Sequence, residues 1–272
     1  MAGYGVIEMV DENMANAARV HSIERGKVIG EHTIIAFGGA APLHASRLAE
    51  KLNIDRVIIP TNAGVGSAVG FLKAPIAYEV VRSQYMTLRD LNPESANKML
   101  HSMHEEALAV VRAGAEDAAL TENRIAFMRY MGQGHEIVIP LPNRDMTASD
   151  SVTLKETYDR EYERLYGRTI PDADIEILTW AMTIGTEVGA VETLPRADAQ
   201  VVASAFGDRR VFDATRETFE TVPLYRRKSL EPGMKISGPA ILTEDETSTF
   251  VSGRFDASIN HAGYIVLQRA RD

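Results

Sequence analysis

The chain has 272 residues, 45% hydrophobic and 25% charged, with 29 Lys and Arg against 38 Asp and Glu for a formal net charge of −9. These are ordinary values for a soluble globular protein of one or two domains, and the acidic surplus argues against nucleic acid as a partner. Cysteine is absent, which removes disulfides, thiolate nucleophiles, thiolate zinc sites and iron–sulfur clusters together, and fits a reducing cytoplasmic compartment. No apolar run is long enough to span a bilayer. The opening MAGYGVIEMVDENM lacks the basic region of a signal peptide. The expectation is a soluble, cytoplasmic protein acting on a small molecule.

Along residues 5–20, Val6, Met9, Val10, Met14, Ala17 and Val20 recur at helical spacing and predict an amphipathic helix. Thr33–Phe37 (TIIAF) reads as a short strand ending at Gly38-Gly39. A helix follows over residues 42–52, with Pro42 in its first turn and Asn53 as its C-cap. RVIIP at 56–60 is a second strand, and AGVGSAVGF at 63–71 is a glycine turn entering a third helix. Strand, glycine turn and helix thus occur twice, the grammar of an α/β unit.

After about residue 90 the texture changes. Asn92-Pro93-Glu94 has the form of an N-cap and opens a long helix to about Gly114. Strands are predicted at 124–131 and 135–141 across the Gly132–Gly134 turn, and a charged helix is capped by Ser149 or Asp150 and closed by Gly167. A long strand with the only Trp covers 174–188. From about 196 the pattern is RRVFD, ETVPLYRR, KISGPAILT, STFVS and YIVLQR, short strands suited to a small β barrel or sandwich. The expected organisation is an α/β lobe over 1–90, an α+β segment over 91–195 and a β-rich domain over 196–272.

Phe37-Gly38-Gly39-Ala40-Ala41-Pro42-Leu43-His44 stands at the carboxyl end of a predicted strand, where ligands of α/β sheets bind. Two glycines let a nucleotide lie against the backbone, and a helix N-terminus offers N–H donors to an anion. A plain strand-to-helix turn is the alternative. Gly64-Val65-Gly66-Ser67-Ala68-Val69-Gly70 has the spacing G-x-G-x-x-x-G, which is not the dinucleotide fingerprint. It reads as a tight turn before a closely packed helix, or as a second loop lining the same cleft. His44 beside the first turn faces either a ligand or the packing. His101 and His104, at i and i+3, could hold a metal, but no further ligand is evident. His135-Glu136 begins a strand, so the two side chains diverge and cannot act on one atom. Glu244-Asp245-Glu246 is a solvated acidic turn or a hard-cation site, and Arg226-Arg227-Lys228 is too small for nucleic acid.

The first 90 residues, then RYMGQGHEIVIPLP, ERLYGRTIPDADIEI and ISGPAILTEDETSTFV, resemble in that order the C-terminal half of the hydantoinase A/oxoprolinase family. That family includes N-methylhydantoinase, 5-oxoprolinase and the nucleotide-binding subunits of acetone and acetophenone carboxylases. The resemblance covers essentially the whole chain. Family members carry a glycine where this chain has Ala41, whose methyl narrows the space above the turn. The family is similar to the actin, Hsp70 and sugar-kinase group, so the resemblance implies a partial lobe of that kind, followed by an α+β segment and a small C-terminal β domain. It also implies ATP with Mg²⁺, an adenosine-side loop at Gly38, Gly39, Ala40 and Ala41 with His44 beside it, and a second loop at Gly64, Gly66 and Ser67. No metal-binding residue is carried over.

The family's phosphate-side loops lie in its N-terminal half and have no counterpart here. The resemblance therefore implies a partner chain carrying the N-terminal hydantoinase A lobe, with ATP and Mg²⁺ held only alongside it. It also implies a hydantoinase B-like subunit and a small-molecule substrate. This chain is then a split subunit or a truncated product, not a self-sufficient enzyme. In the family, ATP phosphorylates an amide or enolate oxygen, for cyclic amide hydrolysis or for ketone carboxylation. A rival reading is a non-catalytic assembly module that keeps the fold without binding nucleotide. The Rossmann oxidoreductase reading fails on glycine spacing.

Overall fold

The computed structural model describes residues 2–189, 201–213 and 218–270. The elements in chain order are α1 (Ala2–Glu24), β1 (Thr33–Ile35), α2 (Ala41–Leu52), β2 (Arg56–Ile59), α3 (Gly66–Lys73), β3 (Ala77–Thr87), α4 (Pro93–Gly114), β4 (Leu120–Tyr130), β5 (Ile137–Pro140), α5 (Asp150–Tyr166) and β6 (Ile175–Thr186). Eight strands complete the chain: β7 (Val201–Val202), β8 (Gly207–Asp213), β9 (Thr218–Arg226), β10 (Met234–Ser237), β11 (Ala240–Thr243), β12 (Ser248–Val251), β13 (Phe255–Ile259) and β14 (Ile265–Arg269). The architecture is mixed α/β. Among the described residues no helix is long and apolar enough to cross a membrane.

The chain groups into two compact units, one of Met1–Lys73 with Val191–Asp272 and one of Ala74–Ala190. This differs from the three consecutive segments read from the sequence, and strand pairing is the reason. β3 pairs antiparallel with β6, which carries residues 74–90 into the second unit. β14 pairs antiparallel with β2, Ile265 opposite Ile59 and Leu267 opposite Val57, so the C-terminal strands extend the sheet that β1 and β2 begin.

The first unit holds a six-stranded sheet in the order β1-β2-β14-β13-β10-β7 and a four-stranded sheet in the order β12-β11-β9-β8. Its core joins Ala45, Ala49 and Leu52 of α2 to Val57, Ile59, Leu242, Val251, Phe255, Ile265 and Leu267. The run KISGPAILT is divided at Gly238-Pro239 and its halves enter different sheets, β10 in the first and β11 in the second. A Cβ on Gly238 would run into the carbonyl oxygens of Ser252 and Phe255, so only glycine fits there.

The second unit is an antiparallel sheet in the order β3-β6-β4-β5 with α4 and α5 packed on it. Leu100, Met103, Ala107 and Val111 of α4 and Leu154 and Tyr158 of α5 meet Met128, Ile139, Ile177, Trp180, Met182 and Ile184. Buried Trp180 donates from Nε1 to Gln84 O at 2.9 Å, which satisfies its one polar atom. The caps follow the sequence: Asn92 accepts from Ser95 N at 3.0 Å, and Asn53 and Gly167 close their helices in left-handed conformation. His135-Glu136 lies in the connection before β5, not at a strand start.

α1 forms as predicted, but its burial is inverted. Val6, Met9, Val10 and Val20 are exposed, whereas Asp11 and Ala15 are buried. Helical spacing establishes which residues share a stripe; it does not establish which stripe meets the sheet-packed helix α2. Here an ion-pair network decides. Glu8 bonds Arg47 at 3.0 Å and Lys51 at 2.5 Å, and Glu12 bonds Lys51 at 2.8 Å.

Candidate functional site: two glycine turns and a buried Asp–His pair

β1 and β2 run parallel with Ile34 opposite Val57, so both glycine turns leave the same end of the sheet. Ala36 N donates to Ile58 O at 2.9 Å, and two residues later Gly38 N donates to Ala63 O at 2.7 Å. The second bond ties the turns together. Gly38 has φ +107°, which disfavours any side chain, and a Cβ there would meet nothing within 4 Å. Its open side is real space. Gly39 and Ala40 are exposed, and Ala40 stands at the N-cap of α2 without a side-chain cap; Pro42 carries no N–H and Leu43 N donates to Ala40 O at 3.0 Å, so the turn has few N–H groups to offer. Ala41 is half-buried and packs against the core of the unit.

The second turn is built differently. A Cβ on Gly64 would come 2.6 Å from Glu246 Cβ, and one on Gly66 would come 3.0 Å from Phe37 Cβ. These two glycines make room for the protein's own side chains. Ser67 is exposed at the start of α3. The acidic turn 244–247 lies on both glycine turns, with Thr247 Oγ1 donating to Gly39 O at 2.8 Å. The site thus brings together Gly38, Gly39, Ala40, Gly64 and Gly66, with packing roles for the last two.

His44 turns to α1, where its Nδ1 lies 2.7 Å from Asp11 Oδ1. Asp11 is 2% exposed. Burial pushes its carboxyl above the usual range, and the hydrogen bond and charge of His44 oppose that rise. The pair fixes the ring of His44 at the N-terminal part of α2. Reasoning from the sequence missed Asp11 because 33 residues separate it from His44 and its helix reads as an apolar stripe. The usable signal was a short acid inside an otherwise apolar stretch.

The other candidates are dispersed. His101 pairs with Asp145 at 2.7 Å and His104 with Glu122 at 2.6 Å, so each imidazole has its own carboxylate. Among the described residues no group of three His, Asp or Glu could hold a metal ion. The basic and acidic clusters meet, Lys228 Nζ lying 2.6 Å from Asp245 Oδ2.

Residues 1–80 match the family model described as hydantoinase/oxoprolinase, and residues 90–269 match the hydantoinase/oxoprolinase C-terminal domain. Caprolactamase subunit alpha of Pseudomonas jessenii is 26% identical over 269 residues, covering 95% of this chain and 38% of its own length. The crystal structure of the ATP-dependent caprolactamase from Pseudomonas jessenii superposes with a TM-score of 0.76 at 24% identity, over 98% of this chain and 40% of that one. The nucleotide-free structure of acetone carboxylase superposes with a TM-score of 0.70 at 23% identity, over 99% and 40%. The chain therefore spans about two fifths of the length of these relatives. It shares their fold and belongs to the hydantoinase/oxoprolinase family.

Proposed function

We propose that this chain is the adenosine-side portion of an ATP-dependent amide hydrolase or ketone carboxylase, working in the cytoplasm. ATP activates an amide or enolate oxygen by phosphorylation. The observation that carries the reading is Gly38: an open, positive-φ glycine beside an uncapped helix N-terminus, at the carboxyl end of two parallel strands. These residues fit the ribose side of a nucleotide, with Gly38, Gly39 and Ala40 giving it close approach to the backbone. Gly64, Gly66 and Ser67 support that surface from behind, and Asp11 holds His44 beside it.

Mg²⁺ does not fit the described residues by themselves, and no step is assigned to it. The phosphate-side loops come from protein outside these 272 residues, and a hydantoinase B-like subunit completes the enzyme. Support for partners lies in the relative named as a lettered subunit, caprolactamase alpha. Isothermal titration of ATP into the chain alone and with a segment bearing the missing lobe tests the reading. Binding in the assembled form, lost in Gly38→Val, is expected. No ATP binding in either state would refute it.

One observation favours the second reading, a non-catalytic assembly module. Gly64 and Gly66 owe their lack of a side chain to Glu246 and Phe37. A module of that kind would assemble with the partner while showing no nucleotide affinity.

A further inference from the structure

The first unit contains a cleft of about 760 Å³ between Asn62, the stretch 226–230 after β9 and the acidic turn 243–246. Arg227 and Glu244 line it and feel each other's opposite charge, but neither side chain forms a hydrogen bond or close ion pair with another described residue. Arg227 Nη1 and Glu244 Oε1 are both buried without a partner. Leaving a charged donor and a charged acceptor unpaired is costly, and native proteins rarely tolerate both in one place without a use for them. Burial lowers the guanidinium pKa and raises the carboxyl pKa, and the opposite charge of each group works against the other's shift without a hydrogen bond joining them.

The remaining charges of the cleft are already engaged or exposed. Lys228 is paired with Asp245, Arg226 lies over the Phe206 ring at 4.7 Å, and Glu246 is exposed at the rim. Three cationic and three anionic side chains balance, so the cleft offers no net attraction to a polyphosphate. What it lacks is a hydrogen-bond acceptor for Arg227 Nη1 and a hydrogen-bond donor for Glu244 Oε1.

We propose that this cleft binds a neutral planar group that carries a hydrogen-bond acceptor and donor on one edge, accepting from Arg227 and donating to Glu244. Two sources have this chemistry. In adenine, a ring nitrogen lies beside an exocyclic amino group; in a lactam, the cis amide presents C=O and N–H on the same side. Asn62 immediately precedes the second glycine turn and Glu246 lies on Gly64, so either ring would sit next to the surface described above. Naming these sources rests on the proposed function; the unpaired Arg227 and Glu244 do not.

The test is protein-observed NMR on the full 272-residue chain, titrated separately with adenosine, ε-caprolactam and inorganic triphosphate. Saturable shifts centred on 226–230 and 243–246 are expected with adenosine, which assigns the base, or with caprolactam, which assigns the substrate. Arg227→Met and Glu244→Gln should each weaken that binding at least tenfold. Arg227→Lys, which keeps the charge and loses the planar fork, should weaken it in a chain whose spectrum stays folded. The proposal is overturned if neither neutral probe shifts the cleft, if the variants bind as the parent does, or if triphosphate displaces the neutral probe. ATP binding by the assembled enzyme that ignores Arg227→Met and Glu244→Gln would sink this assignment of the base and leave the ATP-dependent reading intact. Wild-type enzyme that binds no ATP would sink that reading and leave the titrations of the cleft to be judged on their own.

Discussion

Replacing His44 with Ala removes the only hydrogen-bond partner, among the described residues, of a carboxylate that is 2% exposed. Breaking a buried pair from one side costs about 3–5 kcal/mol, because a charge is left behind. The His44 side chain is 26% exposed, so water can enter the space it vacates. The expected loss is therefore smaller, about 2–3 kcal/mol at neutral pH. The pH dependence has a definite sign. Asp11 has a folded-state pKa above its ordinary value of 3.8, so its protonated form favours folding and that contribution fades as pH rises through the raised value. Without His44 the carboxyl moves further up. The penalty of His44→Ala should then be largest near neutrality and shrink as pH falls toward the ordinary carboxyl range. Urea unfolding followed by far-UV circular dichroism at several pH values measures this directly. Asp11→Asn combined with His44→Ala should recover part of the loss and flatten the profile. A loss that stays constant between about pH 5 and pH 7, or grows on acidification, would refute the buried-carboxylate argument.

Four further outcomes follow from the structure. Gly64→Ala should destabilise the chain by about 1–3 kcal/mol through its 2.6 Å approach to Glu246 Cβ, and Glu246→Gly should relieve part of that loss in thermal melts. Gly38→Ala meets no atom within 4 Å, so its cost of about 1–3 kcal/mol comes from φ +107° alone and Glu246→Gly should not relieve it. Asp150 bonds Arg144 at 2.8 and 2.9 Å and Thr147 N at 2.6 Å, which holds its carboxyl well below the usual range. Asp150→Asn should therefore destabilise the second unit at neutral pH, with the difference in chemical denaturation starting to shrink as pH falls through the range where the unfolded carboxyl protonates and continuing to shrink toward the lower folded-state value. Asn92→Ala should cost about 1 kcal/mol by removing the α4 cap, measurable as a shift in urea midpoint at unchanged slope.

Local chemistry was legible in the sequence. Asn92, Asn53 and Gly167 cap or close their helices because each demand is met by a residue and its immediate neighbours. The repeated strand, glycine turn and helix of residues 33–71 likewise rests on short-range pattern, and so did the family resemblance. The partition of the chain was not legible. Whether 74–90 belongs with the first lobe depends on β3 finding β6 about a hundred residues later, as in the pairing of Tyr78 with Ile184. Nothing within either strand encodes that choice.

The site shows the same division. Sequence alone placed Gly38 and Gly39 at a strand end and located the two charge clusters at 226–228 and 244–246. Only the tertiary structure decided that Gly64 and Gly66 accommodate Glu246 and Phe37, that Asp11 reaches His44, and that Arg227 and Glu244 share a cleft with a buried atom each left without a hydrogen bond. A glycine in a sequence states that a side chain is absent. What fills or faces the space left by it is set by chain segments far away, and here that difference separates the open turn at Gly38 from the packed one at Gly64.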